Sequence, residues 1–348
     1  MTNRPKSQHF LAQSYLRGFA TGSGRKTILY AYERKKTTPL RQHPSKVARQ
    51  ANYYSVRKPD GSIDDSVEHF LSRVEAEAIP VLRSLASQTM QPGWAERERL
   101  AFFIALQELR VPWVRENHQQ MYGQMMDWLT KAHARVPGLM ERYLKEMEEK
   151  GQDLKGVTAD SLREFLDRGE YTLTVDPLFS LQVMIKFAPM LYGYYREMKW
   201  TVLRAGESHP FVTCDNPVVK IDPTAQGPIA FMNPDLEIRF PLSRTACLLI
   251  THDRDREDRW HALMEAGRQS EAKELRKTVP ITDFFKVGGN VIEAINTVTI
   301  RYAARWVYSP AKNPEIAEML QRECEAPMIQ MLGPEKKPVV RSFRGKRQ

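Results

Sequence analysis

The segment SQHFLAQSYLRGF, Ser7–Phe19, spaces His9, Gln13 and Arg17 four residues apart at the start of an apolar helical pattern. In a helix such residues share one stripe, because successive positions turn by about 100°. An imidazole exchanges protons near neutral pH, an arginine fork holds an anion, and an amide orients either. The same three side chains also suit the polar rim of a core, where they need only hydrogen-bond partners.

Three further places carry chemistry. Glu68 and Glu75 stand seven apart in a helical pattern over 64–87, whose Val67, Leu71, Val74, Ala78, Leu82 and Leu85 line one face. Seven residues is close to two turns, so the two acids lie within about 20° of each other. They border the apolar face, where a surface helix would place its acids opposite. Arg110 lies in ERERLAFFIALQELRVPWVRENH (96–118), which is apolar nearly all round and therefore buried. Gln107 and Arg110 then need partners, and a Glu75–Arg110 ion pair is the structural expectation. In TCDNPV (213–218) a strand runs into Asp215-Asn216-Pro217. Pro217 keeps Asn216 extended and interrupts the ladder, freeing both polar side chains to face a cavity. Alternatively, Asp215 ties the turn through the backbone.

Together these residues have the composition of an oxygen-rich Mg²⁺ or Mn²⁺ site. Asp215, Glu68 and Glu75 are the candidate ligands and His9 a base or further ligand. Arg110 or Arg17 would take developing phosphate charge, with Gln13, Arg17 and Asn216 on substrate. Such an ion polarises a phosphoryl group while a base activates water, the chemistry of metal-dependent phosphodiester hydrolysis. No compact motif singles that chemistry out. H-E-x-x-H, a P-loop, G-x-S-x-G and a dinucleotide glycine fingerprint are all missing, and GSGRKT (22–27) lacks the spacing and strand of a phosphate loop. Cys214 falls inside an apolar strand, where a thiolate is disfavoured.

The elements that must position these groups follow from periodicity. The pattern predicts a helix over 9–20, a strand at TILYAYER (27–34) and a turn at KPDGSI (58–63). Helices follow over 64–87 and 96–118, the second kinked or ended by Pro112, with more helix across 119–170 and over 176–197. From 198 to 252 short β-rich runs separated by Pro, Gly and Asn predict an antiparallel sheet. DRDREDRW reads as an exposed polar segment, and 291–309 as a helix ending in a short strand. The fold class is α+β: a mostly helical part, 1–197, packed on a small antiparallel sheet within 198–310. The expected organisation is one domain over 1–334, then a flexible basic tail, 335–348.

The 348 residues are 42% apolar and 27% charged, ordinary for a globular chain with a sizeable core. No run approaches the roughly 18 apolar residues of a membrane helix, and the N-terminus lacks the pattern of a secretory signal. Three cysteines in no motif spacing fit a reducing, cytoplasmic setting and no structural zinc site. The net charge of +10 is unevenly placed. Residues 1–50 hold eleven Lys/Arg against Glu33 alone, and EKKPVVRSFRGKRQ (335–348) holds six against one acid, leaving the body mildly acidic. Basic ends on an acidic body predict contact with a polyanion, nucleic acid above all.

In order along the chain, QHFLAQSYLRGF, SVEHFLSRVE, ALQELRVPWVRE, FVTCDNPVV, FPLS and NTVTIRYAARWVYS resemble the DUF4238 family of bacterial proteins of unknown function, over about 7–310. The resemblance implies that His9, Gln13, Glu68, Glu75, Arg110, Asp215 and Asn216 occupy family motif positions. Ala12, Ser14 and Cys214 depart from that pattern without removing a charged group. The expected function is a metal-dependent nuclease acting on DNA or RNA, the kind of protein that serves as a bacterial toxin or phage-defence effector. The alternative is a non-catalytic nucleic-acid- or partner-binding protein whose polar cluster is a buried ion-pair network. A metal-free enzyme acting on a nucleotide is a third reading.

Overall fold

A computed structural model describes residues 7–322, except 59, 170, 172, 174–175, 207 and 225–229. The basic tail and Cys324 lie outside the described residues. The described residues form two compact units, one of 7–114 with 181–322, the other within 115–180.

The larger unit is α+β, and its β-structure is more extensive than the small sheet expected. One five-stranded sheet runs in the order Thr282–Lys286, Lys199–Arg204, Ala246–Thr251, Glu237–Ser243, Val219–Ile221. The last four strands are antiparallel neighbours, as the β-rich runs suggested. The first is parallel to Lys199–Arg204, which makes the sheet mixed. A four-stranded sheet orders Leu40–Gln42, Leu29–Glu33, Trp306–Ser309 and Thr213–Cys214. It draws on both ends of the described chain, so local pattern revealed its strands but not their pairing.

The expected helix over 9–20 is corrected. Ser7–His9 is a strand, pairing antiparallel with Arg49–Ala51 so that His9 stands opposite Arg49. Only Gln13–Leu16 is α-helical, with a 3-10 turn over Arg17–Phe19. Backbone pairing with a segment some forty residues on has overridden the local apolar spacing. The apolar side chains still reach the core: Leu11, Tyr15, Leu16 and Phe19 are buried. The Tyr15 ring stacks on Phe240 at 5.2 Å. Its hydroxyl meets Thr213 Oγ1 at 2.8 Å and donates to the Pro241 carbonyl at 2.9 Å, so one side chain joins this segment to both large sheets. Gly18 passes so close to Leu242 that an added Cβ would lie 3.2 Å from its carbonyl oxygen.

Helix Ser66–Ser87 follows the expected stripe and carries Pro80 within it. The buried helix Trp94–Leu109 ends before Pro112, which opens Pro112–Ala134, because proline fits the first turn of a helix and breaks an interior. Ser66–Ser87, Trp94–Leu109 and the five-stranded sheet share a core through Leu82, Leu85, Phe103, Ile104, Trp200, Phe240 and Leu248. DRDREDRW, expected as an exposed polar segment, lies largely in helix Arg254–Glu265, which buries no residue. In the smaller unit, Leu139–Glu149 and Ala159–Arg168 pack a minor core through Met140, Ala159 and Leu166, closed by Ala134. No helix among the described residues is long and apolar enough to cross a membrane.

Candidate functional site

Four of the expected residues meet in one place. His9 ends its short strand, Glu68 and Glu75 share a stripe of helix Ser66–Ser87, and Arg110 ends helix Trp94–Leu109. Arg110 is buried. Its Nη1 donates to Glu75 Oε1 at 2.7 Å, its Nη2 donates to Gln107 Oε1, and Gln107 Nε2 donates to the Phe10 carbonyl at 3.0 Å. Tyr53 donates its hydroxyl to the Arg110 carbonyl at 2.8 Å. The buried guanidinium has the carboxylate that its desolvation demanded. The chain Glu75–Arg110–Gln107–Phe10 also locks the two helices to the N-terminal segment.

That pairing sets the electrostatics around it. Burial pushes the Glu68 carboxyl up and the charge of Glu75 adds to the rise, while Arg110 opposes it. Burial pulls His9 down, helped by Arg49, with Glu75 acting in the other direction. Both shifts favour the uncharged form, for His9 the neutral imidazole and for Glu68 the protonated carboxyl. Buried Tyr54 closes the site and reaches the His9 carbonyl at 3.3 Å, its phenol held well above the usual range by burial. Two buried nitrogens, His9 Nδ1 and Arg110 Nε, have no hydrogen-bond partner among the described residues.

Asp215 serves elsewhere. It follows strand Thr213–Cys214 and accepts three backbone hydrogen bonds. Ala304 N donates to Oδ1 at 2.8 Å, and Arg305 N and Trp306 N donate to Oδ2 at 2.7 and 3.0 Å. Its own N–H donates to the Trp306 carbonyl at 2.9 Å. Burial raises its pKa to about 6 even against these donors. Asp215 is thus an anchor for the loop entering strand Trp306–Ser309, close to the turn-tying reading but acting on a distant segment. Asn216 is buried beside it, and its carbonyl accepts the Cys214 thiol at 3.0 Å. Burial holds that thiol far above its ordinary range, as its apolar strand suggested.

Gln13 is half-buried and Arg17 exposed. With His9 in a strand, the three do not form the expected stripe. Among the described residues, no three His, Cys, Asp or Glu side chains converge as a metal-holding group, so the expected ligand set of Asp215, Glu68 and Glu75 is not assembled.

Several residues passed over in the sequence matter here. Arg49 belongs to the His9 site through strand pairing, a relation with no local signal. Glu108 accepts the Tyr195 hydroxyl and pairs with Lys220 at 2.5 Å. Arg97 is fully buried and donates to the Arg196 and Met198 carbonyls and to Thr282 Oγ1. Its place in the same all-round apolar helix as Arg110 was the available signal.

Compared with known proteins, residues 7–313 match the family model described as "Protein of unknown function (DUF4238)". No curated protein and no solved structure matches the chain.

Proposed function

The chain belongs to the DUF4238 family, whose description assigns no activity, and from that premise we propose that it is a nuclease acting through the His9–Glu68–Glu75 site. The observation that carries this reading is the register that sets neutral His9 opposite Arg49, with two half-buried carboxylates alongside. A neutral imidazole can take a proton from water, and Arg49 offers a cation for a phosphodiester oxygen. The surrounding N-terminal surface exposes Arg17, Arg25, Lys26, Lys35, Arg41 and Lys46, which suit a polyanion.

A metal at this site would rely on fewer protein ligands than the sequence suggested. Mg²⁺ is often held by one or two carboxylates together with substrate phosphates and water. Glu68 and the oxygen of Glu75 not bonded to Arg110 would supply those ligands for Mg²⁺ or Mn²⁺. Asp215 has no place in the set, because its two oxygens already serve three backbone donors.

A second reading has its own support. The Glu75–Arg110–Gln107–Phe10 chain reads fully as architecture, as in a binding protein stiffened by a buried ion pair. The two readings separate when the purified chain is incubated with plasmid, single-stranded DNA and RNA, with Mn²⁺, Mg²⁺ or EDTA. The nuclease reading expects metal-dependent cleavage that His9→Ala and Glu68→Gln each reduce at least a hundredfold, a typical contribution of a general base. Retention of all three nucleic acids without cleavage under any metal would leave the binding protein.

A further inference from the structure

Helix Arg254–Glu265 turns Trp260 into a cleft of about 590 Å³ in the larger unit, to which helix Pro177–Glu197 contributes Met190, Tyr194 and Glu197. That volume lies in the range of small-molecule sites, roughly 300–1,000 Å³. Two of its rings already carry a cation. Lys220 Nζ lies 4.5 Å from the centre of Phe231, and the Arg276 guanidinium lies 4.3 Å from that of Trp260. The third ring, Tyr194, stacks on Phe231 with centres 4.8 Å apart and planes 13° from parallel. Among the described residues no cation covers Tyr194, and it stays 48% exposed beside exposed Met190 and Met232. An open aromatic face set among methionines in a cleft is a surface for an apolar body.

The charge of the lining is acidic by one. Three carboxylates, Glu197, Asp253 and Glu257, stand against two guanidiniums, Arg256 and Arg276. Both guanidiniums are engaged: Arg276 lies on Trp260, and Arg256 Nη2 donates to the Leu275 and Arg276 carbonyls, each at 3.0 Å. Arg97 lies outside the lining, over Trp200 and donating to two carbonyls and Thr282. Asp253 is tied as well, since its carboxylate accepts the Arg256 backbone N–H at 3.3 Å and caps the helix. Glu197 and Glu257 have weaker ties. Glu197 shares Arg196 with Glu98, which makes the shorter contact, 2.7 Å against 3.3 Å. Glu257 faces His252 Nδ1 at 3.4 Å, while His252 Nε2 donates to the Phe231 carbonyl at 2.9 Å. Both glutamates are more than half exposed. A spare carboxylate beside an aromatic wall favours one positive charge on an apolar body.

We propose that this cleft binds an arylalkylammonium ion, its ring on the open face of Tyr194 and its ammonium held by the carboxylates of Glu197 and Glu257. A neutral apolar ligand would leave the spare carboxylate unanswered, and a small bare cation would leave the ring and the methionines unused. A primary ammonium brings N–H donors, which form charge-assisted bonds to carboxylates and which a quaternary ammonium lacks. The ring continues the Tyr194–Phe231 stack, and Met190, Met198 and Met232 adapt to its edge. This proposal does not rest on the nuclease reading: it concerns different residues and is tested by binding alone.

The test is calorimetric titration of the full chain with four probes that separate charge from ring: phenethylammonium, neutral phenethyl alcohol, anionic hydrocinnamate, and butylammonium, which has no ring. Phenethylammonium should bind with a Kd below about 1 mM. The alcohol and butylammonium should each bind about fivefold more weakly, and hydrocinnamate at least about tenfold more weakly. Glu197→Gln combined with Glu257→Gln should bring phenethylammonium down to the affinity of the alcohol. Both side chains are exposed, so the fold tolerates that change. Tyr194→Leu should remove the advantage of phenethylammonium over butylammonium. Should Tyr194→Leu fail to fold, the probe series and the double glutamine variant decide without it. Absence of phenethylammonium binding at roughly 10 mM, equal or tighter binding of the alcohol or hydrocinnamate, or a double glutamine variant that binds like the parent would each overturn the proposal.

Discussion

At the scale of the residue, two acidic candidates are used in different ways. Glu75 gives one oxygen to Arg110, whereas Asp215 gives both oxygens to the backbone of 304–306. Asp215→Ala leaves three backbone N–H groups without their acceptor, so it should cost about 2 kcal/mol at pH 7 in chemical denaturation. The cost should depend on pH in a definite direction. Folding raises the Asp215 pKa from 3.8 to about 6, so between those values the native state binds more protons than the unfolded chain. Stability from this group is full below pH 3.8 and declines as pH rises through about 6, by up to about 3 kcal/mol. Asp215→Ala should therefore be more damaging at pH 4 than at pH 7. A cost independent of pH between 4 and 7 would refute the raised pKa. The Glu75–Arg110 pair was legible in the sequence because a guanidinium on an all-round apolar helix has to find a carboxylate. The Asp215 contacts were not legible, since their donors lie some ninety residues on.

At the scale of the element, the N-terminal segment shows propensity yielding to pairing. Its apolar spacing suited a helix, and its apolar residues are buried as that spacing required. Yet Ser7–His9 became a strand, because Arg49–Ala51 offered hydrogen bonds that a frayed helix end would leave unmade. What holds the segment down is Tyr15. Tyr15→Phe keeps the stack on Phe240 and removes the hydroxyl shared by Thr213 and Pro241. A loss of about 1–2 kcal/mol is expected by urea denaturation, because buried Thr213 and the Pro241 carbonyl lose a partner. If the Tyr15 variant matched the parent, the hydroxyl would not be what ties this segment to the two sheets. The helices 66–87 and 177–197 were readable to within a few residues, and 94–109 by its start and by the stop at Pro112, though its pattern ran on to 118. Their signal is local: an apolar period of 3.6 closed by proline or polar residues.

At the scale of the whole molecule, charge is the property most open to test. Between residues 7 and 50 the lone acid, Glu33, is held by Lys36 and Arg305, while most of the cations there are exposed. If this surface binds nucleic acid, the logarithm of the association constant should fall linearly with that of salt concentration. Changing Arg41 and Lys46 to serine should weaken binding to all sequences alike. The slope should become shallower by up to about 0.9 for each phosphate that is no longer neutralised. A slope near zero in the parent protein would remove nucleic acid as the partner. That result would also count against the nuclease reading.

The sequence by itself determined the helices over 66–87 and 177–197, the buried helix that Pro112 stops, the β-rich stretch from 198 to 252, the basic ends and the need of Arg110 for an acid. Each follows from local periodicity, composition or the cost of burying charge, and none requires knowing which distant segment lies alongside. Tertiary structure alone decided that His9 faces Arg49, that Asp215 anchors 304–306, and that strands from both ends of the described chain share a sheet. It alone also made a cleft from Tyr194, Phe231, Trp260 and Arg256, to which separate stretches of chain contribute. Hydrogen-bond partners and cavity walls are relations between segments far apart in the chain. Their free energy is realised only when loop closure has brought those segments together, so local pattern carries no trace of it.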